Sequence, residues 1–215
     1  MPHRRLFAVA AVCAGLYLAA QTLQLILGLT LLPSPATPQA EALGRTLPAE
    51  TLRAVVLLLS FFALIPVYVA LALDRFRAAP GAAVCGAIFG IMFVLLEIAY
   101  RDIDLFVVSG VWARAGDLGR LSLWDQAVSG WYLILLLSHF LSSACFALAF
   151  RRDATRWDLL AVFSFALNAL RLLGRILGGY AGVGWLATLS GPLYFPAVAV
   201  VMTLLLVWLA GRARR

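Results

Sequence analysis

Long uncharged apolar runs recur along this chain, as in AVVLLLSFFALIPVYVALAL over residues 54–73. A soluble core has no use for several segments of this length, whereas a bilayer requires about 20 consecutive apolar residues per helix. Hydrophobic residues make up 64% of the sequence and charged residues 13%, against roughly 25% charged in a soluble domain. The strands of a transmembrane β-barrel would alternate apolar and polar residues over about ten positions, and no such pattern is present. The sequence therefore predicts an all-α, polytopic integral membrane bundle forming one domain, with the lipid bilayer as its first partner.

Six spans are expected, at about residues 6–32, 51–73, 81–100 or longer, 127–150, 157–177 and 193–210. Loops are expected at 33–50, which is Pro-rich, and at 101–126, which is mixed and charged. The start MPHRRLFAVAAVCAGLYLAA resembles a signal peptide, but its apolar run continues to Leu32. That is too long for a signal peptide's apolar region, so a retained first span is expected. Pro66 and Pro196 fall within the second and sixth expected spans, where a proline kinks a helix. The Gly-rich stretch 178–192 reads as an interfacial loop held by Tyr180, Trp185 and Tyr194, with a partly re-entrant loop as the alternative. Trp112 and Trp124 read as interface anchors of the 101–126 loop.

The formal charge is +7, and all 17 basic residues are Arg. An Ala- and Arg-rich chain without Lys fits a GC-rich, bacterial coding sequence. The arginines flank the apolar runs instead of forming a soluble basic domain, which excludes a nucleic-acid reading. Arg4, Arg5, Arg75, Arg77, Arg151, Arg152, Arg156, Arg212, Arg214 and Arg215 fall on one side of the alternating spans. Arg45, Arg53, Arg101, Arg114 and Arg120 fall on the other, over longer loops. The positive-inside rule then puts both termini in the cytoplasm, with the chain in a plasma membrane of the bacterial inner-membrane type.

The most unusual residues lie inside the fifth span. Ser164, Asn168, Arg171 and Arg175 are spaced by four, three and four, and so form one polar stripe. Each arginine near a span centre costs about 2.5–3.5 kcal/mol on insertion scales. At 1.5 Å per residue, Arg171 and Arg175 stand roughly 21 and 27 Å from Trp157, in the outer half of a core about 30 Å thick. Glu97 stands roughly 24 Å from Gly81, and Gln21 and Gln24 roughly 22 and 27 Å from Leu6. Arg101 and Asp104 follow Glu97 on its face, above Gly86 and Gly90, whose lack of side chain lets a neighbouring helix approach. The expected cluster is thus Gln21, Gln24, Glu97, Arg101, Asp104, Asn168, Arg171 and Arg175. Glu97 is the expected partner of Arg171.

Two readings of this cluster compete. Buried charges often pair only to neutralise one another and fix helix neighbours. Alternatively, an intramembrane arginine binds a carboxylate or phosphate, which its planar fork fits. His139, with Ser142 and Ser143 beyond it, reads as a helix-packing histidine. Cys13, Cys85 and Cys145 are separated in sequence and read as free thiols, with no metal site. HExxH, GxSxG, GxxxxGK[ST] and CxxC motifs do not occur, and no cofactor is expected. The leading expectation is a small binding or transport protein for a polar or anionic solute or a lipid head group, with a pocket facing the outer leaflet. The alternatives are an accessory subunit whose ionic cluster only fixes packing, and an embedded enzyme using Glu97 or Asp104 as acid or base. The six-span outline alone transfers no function.

Overall fold

A computed structural model describes residues 4–31, 39–112, 115–190 and 192–214, with side chains over the same residues except 28–50, 109, 110, 118, 121, 125 and 190. The described chain is all-helical: α1 (Arg4–Leu31), α2 (Gln39–Phe62), α3 (Leu64–Arg75), α4 (Pro80–Ile103), a π-helical segment (Asp104–Trp112), α5 (Leu118–Arg151), α6 (Asp158–Tyr180), α7 (Gly184–Ser190) and α8 (Tyr194–Arg214). Among the described residues, six helical segments are long and apolar enough to cross a membrane: Arg4–Leu27, Thr51–Arg75, Pro80–Val108, Ser122–Arg151, Asp158–Tyr180 and Tyr194–Arg214.

Two expected loops are shorter than the sequence suggested. α2 begins at Gln39, within the expected loop 33–50, because Ala, Leu and Glu in that stretch are strong helix formers. The loop 101–126 is largely helical: α4 runs to Ile103, the π-helical segment follows, and α5 starts at Leu118. Asp117 caps α5, its Oδ1 accepting from the Arg120 backbone N–H at 3.0 Å. Pro66 acts as expected. It lacks an N–H and its ring crowds the carbonyl four residues back, so the helix is interrupted at Ala63 between Phe62 and Leu64. Pro196 does not kink its span. It stands in the first turn of α8, where an amide would have no intrahelical acceptor in any case.

Consecutive spans pack against each other around a ring. α1 lies against α2 and α3, these against α4, α4 against α5, α5 against α6, and α6 against α8. α8 closes the ring on α1, and Arg4 Nε donates to the Ala213 carbonyl at 2.7 Å. This up-and-down order follows from short links between antiparallel helices. Gly86 and Gly90 give α4 its close approach to α5: Ser142 Oγ donates to the Gly86 carbonyl at 2.7 Å. The outer faces carry exposed Val12, Leu16, Ile88, Leu148, Phe163 and Leu170, an apolar belt of the kind a bilayer covers. Cys13, Cys85 and Cys145 are free.

The interior of the ring is filled unevenly. Near the end that holds Arg4 and Arg212, Phe146, Phe150, Phe165 and Trp208 interlock, with Phe150 and Trp208 edge to face at 4.9 Å. Toward the other end the spans line a hollow.

Candidate functional site

The hollow is a cavity of about 480 Å³, within the range of about 300–1,000 Å³ typical of small-molecule sites. Gln21 and Gln24 from α1, Glu97 and Arg101 from α4, and Asn168, Arg171 and Arg175 from α6 all lie on its wall. Seven of the eight residues singled out by helical spacing therefore meet at one place. Asp104 stands behind them, 3.9 Å from Arg101 Nη1. Helix periodicity explains the convergence: each stripe is the one face of its span that the ring turns inward.

A chain of hydrogen bonds orients Arg171. Its Nε and Nη2 donate to Asn168 Oδ1 at 3.2 and 3.0 Å. A guanidinium only donates, so the Asn168 oxygen must face it and the amide nitrogen must face away. That nitrogen donates to Ser143 Oγ at 2.8 Å and meets His139 Nε2 at 2.9 Å. His139 Nε2 is then the acceptor, which fixes the neutral tautomer carrying its proton on Nδ1. The imidazole stacks on Phe93 with centroids 4.1 Å apart. His139 is thus a packed, hydrogen-bonded histidine that also borders the cavity.

The expected Glu97–Arg171 pair is not formed. Glu97 Oε2 lies 3.6 Å from Arg101 Nε, one turn along the same helix. Proximity within α4 wins over a partner across the cavity. Arg171 lies instead over the Tyr194 ring at 5.1 Å, and Arg175 is shared between Tyr194 at 5.4 Å and Tyr132 at 5.9 Å. Among the described residues, no carboxylate stands within ion-pair distance of Arg171 or Arg175. Three wall atoms are buried without a hydrogen bond among the described residues: Gln21 Oε1, and Glu97 Oε2 and Arg101 Nε, which face each other as an ion pair just beyond hydrogen-bond distance. Each is an acceptor or donor turned away from solvent, and such groups call for a partner.

A second ionic cluster, at the opposite end of the ring, has the reverse character. Asp158 Oδ1 receives Arg75 Nη2 at 2.7 Å, Arg212 Nη2 at 3.0 Å and Trp208 Nε1 at 3.1 Å. Its Oδ2 receives the Thr155 backbone N–H at 3.1 Å and Thr155 Oγ1 at 2.7 Å. Asp74 Oδ2 joins Arg75 Nε at 2.8 Å and Arg212 Nη2 at 3.3 Å. Two carboxylates and two guanidiniums cancel, and they tie α3, α6 and α8 together. Sequence reasoning used Arg75 and Arg212 only to orient the spans and did not single out Asp74 or Asp158. A signal was present: Asp158, Ala161, Phe165, Asn168 and Leu172, all buried, continue the inward stripe at spacings of three and four.

The spacing argument also passed over Arg53, Tyr132 and Tyr194 on the cavity wall. Tyr194 read as an interface anchor, and only the packing of α8 on α6 brings its ring over the arginines. α7, in the Gly-rich stretch, lies against the end of α6. A Cβ on Gly178 would come within 2.5 Å of the Ala187 backbone nitrogen.

The absence of an ion pair at Arg171 has a measurable consequence. Arg171→Gln and Glu97→Gln are expected to have additive effects on thermal stability in detergent, within the roughly 0.5 kcal/mol of independent sites. A coupling energy above about 1 kcal/mol would place Glu97 against Arg171 after all. Compared with known proteins, the chain matches no protein family, no curated protein and no solved structure.

Proposed function

We propose that this chain is a small membrane binding or transport protein that takes up a polar or anionic solute, or a lipid head group, in the cavity between its six spans. The observation that carries this reading is the contrast between its two ionic clusters. At one end two acids meet two bases, and each guanidinium is ion-paired to both carboxylates. At the other, Arg171 and Arg175 face a cavity and make no ion pair among the described residues. A cluster that only fixed helix packing would resemble the first; an anion site resembles the second. Arg171 supplies the anion contact, Asn168 holds its guanidinium in place, and Arg175 adds positive potential.

The orientation is part of the same proposal. Nine of the described arginines belong to the end where α1 begins and α8 finishes. That bias supports cytoplasmic termini and a cavity mouth toward the outer leaflet of a plasma membrane.

Inorganic phosphate and butyrate are the simplest probes of the head site. At ten times its dissociation constant, either probe is expected to stabilise the purified protein by about 1.4 kcal/mol. The same series on Arg171→Gln is expected to give no shift. Equal shifts in both proteins would remove Arg171 from the site, and no shift in either would remove the site.

A further inference from the structure

The cavity has two chemically different ends, and this specifies its occupant further. Along α6 the wall runs from Arg175 to Phe165, ten residues or about 15 Å of helix. Along α8 it runs from Tyr194 to Leu205, eleven residues or about 16 Å. Charged and amide side chains occupy the mouth as far as Asn168. Below that level the wall is apolar apart from Tyr68, and the aromatic cluster around Phe165 forms the floor. A depth of about 15 Å is half of a hydrocarbon core about 30 Å thick, the reach of one leaflet's tails. Met202 on this lower wall is a side chain that adapts to irregular apolar shapes.

A small hydrophilic anion would use only the upper part of such a site. We infer that the occupant is an amphiphile with one anionic head, a carboxylate or a phosphate, and a single apolar tail. The head lies on Arg171 at the mouth, and the tail descends between α6 and α8 to the aromatic floor. This inference rests on the anion-binding reading above. Arg171 gives two of its five N–H donors to Asn168 and another to Tyr194, leaving two for a head group that accepts in a fork. Tail length is set by the floor. With C–C bonds of about 1.52 Å at about 111°, each carbon advances roughly 1.25 Å, so about 12 carbons fill the depth.

The test uses the full chain in nanodiscs of zwitterionic phosphatidylcholine. Straight-chain carboxylates and monoalkyl phosphates of 8 to about 18 carbons are added at equal mole fraction in the bilayer, with the matching alkanols as neutral controls. Inorganic phosphate and butyrate are added from solution. Equal mole fraction matters because a tail already in lipid gains nothing from apolar surroundings alone. Binding is expected to peak near 12 carbons, to exceed the alkanol of equal length at least tenfold, and to fall at least tenfold in Arg171→Gln. Val201→Phe, which narrows the lower wall, is expected to move the peak to shorter tails while butyrate binds unchanged. A peak for carboxylates alone supports the inference and identifies a fatty-acid source. A peak for phosphates alone supports it and identifies a phospholipid-like source. Binding of inorganic phosphate or butyrate without any length optimum overturns the tail and leaves the anion site standing. Equal binding of alkanols and acids, unaffected by Arg171→Gln, overturns both readings, as does failure of every probe.

Discussion

Replacing Asp158 by Ala is expected to cost about 3–5 kcal/mol, the range for removing one partner of a buried ion pair. In a chain of this size that lowers the thermal midpoint by on the order of 10 °C. The side chain is 1% exposed, receives four hydrogen bonds, two on each oxygen, and pairs with Arg75 at 2.7 Å. Its loss leaves Arg75 facing Asp74 alone, with its guanidinium 4.5 Å above the Phe150 ring. It also releases Trp208 and leaves Arg212 on Asp74 alone, so α3 and α8 lose their common tie to α6. Replacing Asp158 and Arg75 together by apolar residues is expected to cost less than Asp158→Ala alone, since no unpaired guanidinium then stays buried. Thermal unfolding of the two variants beside the parent checks both statements. A change in the midpoint of under 2 °C for Asp158→Ala would show that the cluster is solvated rather than structural.

Gly90→Val is expected to destabilise by about 3 kcal/mol, the upper end for inserting side-chain atoms into a packed interior. A Cβ there would stand 2.6 Å from two carbons of the Tyr68 ring and 2.9 Å from Ser142 Oγ. Tyr68 is buried and stacked on Phe146 at 6.1 Å, so its ring yields only by leaving that stack toward the cavity. The expected second-site effect is specific. Tyr68→Leu, though destabilising alone, should recover more than 1 kcal/mol of the Gly90→Val loss, because contacting residues couple. Additive losses in the double variant would mean that the contact at Gly90 is relieved elsewhere. The cavity reports on the same event, since Tyr68 is on its wall: Gly90→Val alone should weaken binding of a 12-carbon acid more than binding of butyrate.

Much of this architecture was legible in the sequence because membrane helices are constrained one residue at a time. A span needs about 20 apolar residues, which yields six segments directly from composition. An inward polar face must recur every three or four residues, which singles out Gln21, Gln24, Glu97, Asn168, Arg171 and Arg175 before any packing is known. Pro66 breaks its helix through its own covalent structure. Partners are a different matter. Glu97 was matched to Arg171 by depth alone, but Arg101 is one turn away on the same helix and takes the carboxylate. Asp74 and Asp158 were not singled out, because each lies at the end of a span beside the arginines that orient it. Only the closing of α3, α6 and α8 on one another buries them against Arg75 and Arg212. Tyr194 became part of the cavity wall for the same reason. Sequence periodicity is a property of one helix and fixes which face turns inward. Which residue meets which across the ring depends on helix rotation and neighbour order, and these are set by contacts between spans, including the glycines of α4 and the ionic cluster at the termini.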